Sequence, residues 1–276
     1  LSAVAVLTLL MVDEKSEVWM IYFISSLLMM LHAVFVPAEQ ASIPNITEEN
    51  ELLTANALNS ATWSAALCLG ASLGGFVVSA YGVEAAFIIN AVCFLLGALM
   101  YSTLTIPQEP FVPKPGGVWA NTGGNIADGF RIILSKPHVS RIITAKALWA
   151  VFGGGLVYML ILIGDEIAFG DLAAGIGILF AARGLGTGLG PIFARYVFKD
   201  RNFWPFLLGS LVSVCGVAYV IIGFLEWTPW IAVIVVLGHA ASAINWVLST
   251  VLLQERSDDE WRGRMFSTDF LLMTTV

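Results

Sequence analysis

Charged side chains are scarce in this sequence. Asp, Glu, Lys and Arg make up 12% of the 276 residues, which is about half the share usual in a soluble domain. The surface of a soluble globule of this length needs more polar cover than these residues provide. The 13 Lys and Arg are outnumbered by 20 Asp and Glu and form no basic stripe, which argues against a nucleic-acid-binding protein.

Cysteines and catalytic motifs are also few. Cys68, Cys93 and Cys215 each lie in an apolar run, a pattern typical of small buried side chains rather than of a disulfide framework or metal site. The sequence contains no HExxH, GxSxG or GxxxxGK motif, the patterns of zinc peptidases, α/β-hydrolases and P-loop nucleotide hydrolases. We therefore expect neither an enzyme nor a bound metal or cofactor.

Long apolar runs dominate instead. Apolar residues make up 58% of the chain and the mean hydropathy is +0.85, which predicts an all-α, polytopic bundle of helices in a lipid bilayer. Seven runs reach the length of about 20 residues that a spanning helix needs. They are residues 18–38, 57–80, 85–106, 147–164, 172–194, 203–225 and 230–253. Partial spans at 1–12 and 266–276 flank them, so we expect an internal piece of a longer protein, truncated at both ends.

Lys and Arg are confined to alternate connections between these spans. Four connections hold eleven of them, the opposite connections hold only Lys15, and Arg183 lies inside a span. Because basic loops remain in the cytoplasm, we expect the four connections at 39–56, 107–146, 195–202 and 254–265 there. Their basic residues are Lys114, Arg131, Lys136, Arg141, Lys146, Arg195, Lys199, Arg201, Arg256, Arg262 and Arg264.

The spans form two groups around one long connection. We predict an N-terminal half at 1–106, a cytoplasmic linker at 107–137 and a C-terminal half at 138–276. The linker is rich in Pro and Gly, and its apolar residues recur at helical spacing, which predicts an amphipathic helix on the membrane surface. Both a helix that couples the halves and a plain loop helix fit this pattern. The apolar residues are Ile126, Phe130, Ile133 and Leu134, and the linker prolines are Pro107, Pro110, Pro113 and Pro115.

Two acidic segments suggest an internal repeat. The segment after the span at 18–38 and the segment after the span at 230–253 both lead into a helix that starts with polar residues. They lie six spans apart, a spacing that fits two six-helix halves related by a parallel repeat.

Three features of the sequence occur together: the run Leu69-Gly-Ala-Ser-Leu-Gly-Gly, the charged segment at 255–267, and the long cytoplasmic connection between two groups of spans. Together they resemble the major facilitator superfamily, and in particular its bacterial enterobactin-exporter and macrolide-efflux branch. The run is similar to the family's antiporter motif, with Gly70, Gly74 and Gly75 matching and Ala71 in place of Pro, and residues 255–267 look like the family's loop between helices ten and eleven. The chain would then span helices three to eleven of twelve, as two pseudo-repeat halves. The resemblance implies that the segment after Gly190 is the second-half counterpart of the family's loop between helices two and three. It keeps Gly190, Arg195 and Lys199 but has Ala194 in place of that loop's Asp.

This resemblance implies a secondary active transporter that works by alternating access. It implies proton-coupled efflux of a small amphipathic organic molecule, such as a drug or siderophore, by a monomer in the bacterial inner membrane. Two alternatives stay open. One is a polytopic membrane enzyme, and the other is a non-transporting remnant of a transporter gene.

Arg183 is the strongest candidate for a functional residue. An arginine near the middle of a span costs at least about 2.5–3.5 kcal/mol unless it faces water or a partner. One interpretation is a cavity-facing cation that holds an anionic substrate or a coupling carboxylate. The other is a structural arginine that pairs with a helix-end carbonyl or with Asp165 or Glu166.

Other intramembrane polar residues have a functional and a structural interpretation each. Glu39 is a possible coupling carboxylate or the solvated end of a helix. His239 is a possible proton relay or a hydrogen-bonding partner of a neighbouring helix. We expect Asn90 and Asn245 to form hydrogen bonds across helices, while substrate or coupling contacts remain possible.

Small residues recur four apart in two spans. Ala66, Gly70 and Gly74 share one helix face, and Gly186 and Gly190 share another. Small residues let a neighbouring helix approach closely in a membrane. We therefore predict tight helix packing at both places, and the resemblance adds that the first face stiffens an exporter against leak.

Overall fold

The protein is built of helices, as predicted. The computed structural model describes residues 1–12, 14–107, 117–167, 172–225 and 229–275, and this part of the chain contains no strand. Its α-helices are α1 (Ser2–Thr8), α2 (Val18–Ile46), α3 (Leu52–Tyr81), α4 (Val83–Ser102), α5 (Gly117–Ser135), α6 (Pro137–Ile167), α7 (Leu172–Val197), α8 (Trp204–Ile222), α9 (Trp230–Glu255) and α10 (Asp259–Thr275). The linker residues Pro110, Pro113, Lys114 and Pro115 lie outside the described residues.

Six helices of the described chain are long and apolar enough to cross a membrane. They are Lys15–Ile46, Val83–Ser102, Pro137–Glu166, Gly175–Val197, Arg201–Ile222 and Trp230–Glu255. Each coincides with a predicted span. The remaining predicted span, at 57–80, lies within α3, which has 30 residues and so is about 45 Å long at 1.5 Å per residue.

Helix α9 lies at the centre of the second group of helices. It packs against α7, α8 and α3, and nearly all of its residues from Gly238 to Gln254 are buried. The largest core cluster surrounds this part of α9 with side chains of α2, α3, α6, α8 and α10, among them Trp204, Ile143 and Phe266. Lipid-facing helices show the opposite pattern, with large apolar side chains exposed, such as Phe206 on α8.

Several helix ends meet at one end of the bundle. The end of α2, the starts of α3 and α6, the end of α9 and the start of α10 lie together, joined by hydrogen bonds and ion pairs. We call this the basic end of the bundle, and the opposite end, with the short connections, the acidic end. We call α1–α4 the first group and α6–α10 the second group. Helix α5 packs against α10 and α6.

One boundary of the predicted spans is wrong. We placed Lys146 in a connection that runs to residue 146, but α6 begins at Pro137. Lys146 therefore lies about 13 Å along the helix axis from its start. Its side chain is 1% exposed and ion-paired with Asp269 of α10, and this pairing explains why the helix buries a lysine there.

The predicted close approach of helices occurs on α7. A methyl group added at Gly190 would lie 2.7 Å from the Ala240 carbonyl oxygen of α9, and one added at Gly186 would overlap the Val236 carbonyl oxygen. At Gly70 and Gly74 an added methyl group meets nothing within 4 Å, and Ala66 is exposed. The described residues thus place no neighbour on the α3 stripe. The surroundings of Gly75 lie outside the described residues.

We predict that Gly186→Ala destabilises the protein because the new methyl group overlaps backbone rather than a movable side chain. Overpacking of this kind costs about 1–3 kcal/mol, so the thermal unfolding midpoint of the purified protein should fall by several degrees. Gly177→Ala on the same helix is the control, because an added methyl group there meets nothing within 4 Å. Equal stability of the two variants would show that α7 and α9 do not approach each other this closely.

Candidate functional site

The first and second groups meet at the basic end through a buried chain of amides. The Asn56 side-chain Nδ2 donates to Gln254 Oε1 at 2.7 Å, and Gln254 Nε2 donates to the Gln40 carbonyl oxygen at 2.8 Å. Gln254 is 2% exposed. One side chain of α9 therefore bonds to both α3 and α2, and its two bonds cross from the second group to the first.

A proline makes the Gln40 carbonyl available for this bond. In a helix the carbonyl of residue i accepts from the N–H of residue i+4. Residue i+4 from Gln40 is Pro44, which has no N–H, and α2 continues through it to Ile46. The carbonyl would be buried and unbonded without Gln254, which costs about 1–3 kcal/mol.

A second proline leaves a carbonyl without its helical donor nearer the middle of the bundle. Pro191 lies inside α7, so the carbonyl of Thr187 also lacks its helical donor. Ser60 Oγ of α3 donates to that carbonyl at 3.3 Å, and Ser64 Oγ lies 3.0 Å from Thr187 Oγ1. Ser64 also lies 3.5 Å from a methyl group built at Gly188, so the small residues of α7 let α3 come close.

Charged groups extend the contact at the basic end. Arg262 Nη1 of α10 donates to Asn45 Oδ1 of α2 at 2.6 Å and to Asp259 Oδ1 at 3.1 Å. Burial lowers the pKa of Arg262 from its ordinary value, while Asp259 and Asp258 oppose that shift. Arg201, which precedes α8, forms an ion pair with Glu255 and donates to the Glu49 carbonyl oxygen at 3.3 Å.

Arg183 lies in the membrane-spanning part of α7, between these contacts and the acidic end. It is partly buried, its Nε is buried without a hydrogen-bond partner, and its guanidinium carbon lies 5.9 Å from the Phe180 ring centroid. In the part of the chain that the structure describes, it forms no ion pair with Asp165 or Glu166. Asp165 and Glu166, the two structural partners that the sequence suggested for Arg183, are both exposed.

The other intramembrane candidates lie in different surroundings. His239 is 5% exposed, and its Nε2 lies 2.7 Å from the Tyr219 hydroxyl of α8, so it bonds to a neighbouring helix. Glu39 is partly buried on α2. Asn245 is buried on α9 and Asn90 is exposed on α4, and the described residues give neither side chain a hydrogen bond. Within the described residues, Arg183 forms no ion pair with Glu39 and no hydrogen bond with Asn90 or Asn245, whereas His239 lies near enough to interact with its charge.

The predicted cytoplasmic loop residues divide into two classes. Arg195 and Lys199, at and after the end of α7, are exposed. Arg262 and Arg264 lie in the first turns of α10 and are partly buried, with the Arg264 guanidinium 4.6 Å from the Trp261 ring centroid. Of these four residues, Arg262 makes the hydrogen bond that joins α10 to α2.

The sequence analysis did not identify several residues that form these polar contacts. Asn56 and Gln254 are uncharged and lie near predicted span ends, where polar side chains are common, so nothing marked them. Asp269 did leave a signal, since it is a carboxylate in the partial span at 266–276. Pro44 and Pro191 were visible too, because a proline within a helix always frees the carbonyl four residues earlier.

The fold and these contacts define a polytopic helical membrane protein with two helix groups joined across polar contacts. The sequence profile of the Major Facilitator Superfamily matches residues 1–274. The chain belongs to this superfamily, whose members are transporters and not enzymes.

Two curated relatives come from Bacillus subtilis (strain 168). The chain is 25% identical to the uncharacterized MFS-type transporter YfiS over 270 residues, which cover 94% of the chain and 63% of YfiS. It is 24% identical to the uncharacterized MFS-type transporter YkuC over 130 residues, or 45% of the chain and 30% of YkuC. The chain thus spans less than two thirds of the length of either relative. No solved structure matches it significantly.

We predict that Gln254→Leu weakens the contact between the groups at the basic end. The substitution leaves the Gln40 carbonyl and one Asn56 donor unbonded, at a cost of about 1–3 kcal/mol for each buried group. Amide hydrogen exchange at the ends of α2 and α9 should therefore become faster.

Ser249→Ala is the matched control, because Ser249 is buried on the same helix and donates only to the Trp246 carbonyl oxygen of α9 itself. In a Pro44→Ala background the Gln40 carbonyl regains a helical donor, so Gln254→Leu should have a smaller effect. Exchange as slow in Gln254→Leu as in Ser249→Ala would contradict the bridging role of Gln254.

Proposed function

We propose that this protein is a proton-coupled secondary transporter that exports small amphipathic organic molecules by alternating access. In this proposal the basic end is cytoplasmic and the structure is the state closed at that end. The substrate class, a drug or siderophore, and the direction of transport come from the resemblance to bacterial exporters. Family membership supports transport by such a chain.

The main support for this proposal is the contact between the first and second groups of helices. The bonds that cross it at the basic end run through polar groups, namely Gln254, Asn45 and Arg262. Polar contacts can exchange for water at small net cost, about 0.5–1.5 kcal/mol for a typical hydrogen bond. An interface of this kind can open and close, as the rocking of two helix groups requires.

The opposite end supports the same state. Toward the acidic end of α3, an added methyl group at Gly70 or Gly74 meets nothing within 4 Å. We therefore propose that the acidic end is the open, outward-facing side, with Arg183 near the base of the opening.

Arg183 is our candidate for contact with the substrate. Arg183 lies in a spanning helix, and its Nε is buried without a hydrogen-bond partner. Within the described chain its guanidinium forms no ion pair. A cation in that setting attracts an anionic group of a ligand strongly, because the surroundings screen charge weakly. We therefore favour amphipathic anions over amphipathic cations as substrates. His239 and Glu39 remain candidates for coupling, and Asn90 and Asn245 for substrate contacts.

The test is transport by the protein reconstituted in liposomes. With an acidic lumen, we expect uptake of an amphipathic anion such as fluorescein, and loss of that uptake when the proton gradient is collapsed. Arg183→Gln should reduce uptake by at least tenfold, since it removes the cation, and Arg183→Lys should retain part of it.

An exposed arginine provides the control. Arg195→Gln removes a positive charge from the end of the same helix, where the side chain faces solvent, and uptake should stay near the wild-type level. Uptake by Arg183→Gln equal to that of Arg195→Gln would rule out Arg183 as the substrate cation. Gradient-independent uptake would contradict proton coupling.

A further inference from the structure

Helix α5 presents two neighbouring lines of side chains. Gly129 and Ile133 lie four residues apart and form the first line, which faces α10 and the core. A methyl group added at Gly129 would overlap Thr268 Oγ1 and lie 3.3 Å from the Arg264 carbonyl oxygen, both on α10. Ile133 is 4% exposed and belongs to the core cluster around α9. The first line therefore fastens α5 to the second group.

The second line of α5 is apolar and open. Ile126, Phe130 and Leu134 are also four residues apart, so they share one side of the helix. At 3.6 residues per turn, each residue is about 100° further round, so this line lies beside the first and not on the same face. Ile126 is 46% exposed and Leu134 is 72% exposed, while Phe130 is partly buried. Such an apolar line on an amphipathic helix needs an apolar cover.

The place of α5 in the bundle favours lipid as that cover. A single residue, Lys136, separates α5 from α6. Helix α6 has 31 residues and is therefore about 46 Å long, which matches the roughly 40–45 Å thickness of a bilayer with its headgroups. Since α6 crosses the membrane, its first residue lies at the level of the headgroups. Leu134, one turn earlier, lies at the same surface.

A second protein chain fits the open line less well. Three partly exposed side chains can bury only about 200–300 Å², whereas a stable protein interface buries about 800 Å² on each partner. The line is thus wide enough to seat a helix in lipid but too narrow to hold a partner by itself.

Positive charge lies beside the apolar line. Arg131 directly follows Phe130, and its side chain is 79% exposed although it pairs with Asp128 at 3.4 Å. An exposed pair of this kind contributes little free energy, so the guanidinium is available to a phosphate, which it can bind through two hydrogen bonds. Arg141, near the start of α6, is exposed as well. Exposed cations beside an apolar line are typical of a helix at an anionic membrane surface.

We propose that Ile126, Phe130 and Leu134 seat α5 in the surface of the bilayer at the basic end, and that Arg131 binds anionic lipid headgroups there. Because Gly129 fastens α5 to α10, the lipid contact is attached to the second group of helices. This contact does not depend on the substrate or on the direction of transport proposed above.

Collision rates of a spin label locate the apolar line. The label is attached at Leu134→Cys, with the native cysteines replaced, and the protein is placed at low density in vesicles of phosphatidylcholine and phosphatidylglycerol. We expect more collisions with oxygen, which dissolves in lipid, than with a nickel chelate, which stays in water. Ser135→Cys is the control, because Ser135 is exposed and lies about 100° further round the helix, where collisions with nickel should dominate.

Two results at Leu134→Cys would overturn the seating in lipid. A label that collides mainly with the nickel chelate faces water. A label shielded from both reagents is covered by protein, either a second copy or another segment of the chain.

The role of Arg131 is tested by lipid binding. Native mass spectrometry gives the apparent affinity of the purified protein for phosphatidylglycerol. One basic side chain near an anionic surface contributes about fivefold to binding, so Arg131→Gln should bind this lipid about fivefold more weakly. Arg195→Gln removes an exposed charge at the end of α7 and should bind it like the wild type. Equal affinities in the two variants would exclude Arg131 as the headgroup contact.

Discussion

The structure depends on the requirement that backbone carbonyls buried away from water find a hydrogen-bond donor. Pro44 and Pro191 each remove one helical donor, from the carbonyls of Gln40 and Thr187. In both cases the replacement donor, Gln254 or Ser60, belongs to the other helix group. Lipid gives helices little hydrophobic reason to associate, and these two hydrogen bonds add a polar attachment between the groups.

Such an interface suits a protein that must open. The apolar core around α9 includes Ile43 of α2 and Leu52 and Leu53 of α3, and the hydrogen bonds and ion pairs that join the groups at the basic end lie around it. The Lys146–Asp269 pair lies within the second group but next to the residue that contacts α2.

The sequence predicted the helical class and the spans, because the hydropathy and length of apolar runs can be read from residue order alone. The superfamily came from the resemblance of its motifs. It did not predict the partners. The extension of α6 to Pro137 was missed because Lys146 looks like a loop residue until Asp269 is known to face it. Asn56 and Gln254 were missed because an amide near a span end gives no periodic signal. The small residues of α3 and α7 gave equal signals. In the described chain Gly186, Gly188 and Gly190 of α7 meet a neighbouring helix, whereas Gly70 and Gly74 of α3 do not, since packing depends on the neighbour as much as on the stripe.

The most direct test of the two-group arrangement is a distance measurement across the basic end. Spin labels at Asn50→Cys and Arg256→Cys, both exposed positions just before α3 and just after α9, report on the separation of the groups when the native cysteines are replaced. If the groups rock about their polar contact, we expect a short distance and a longer one, with populations that shift between neutral and acidic pH. A single unchanged distance under both conditions would contradict alternating closure at this end.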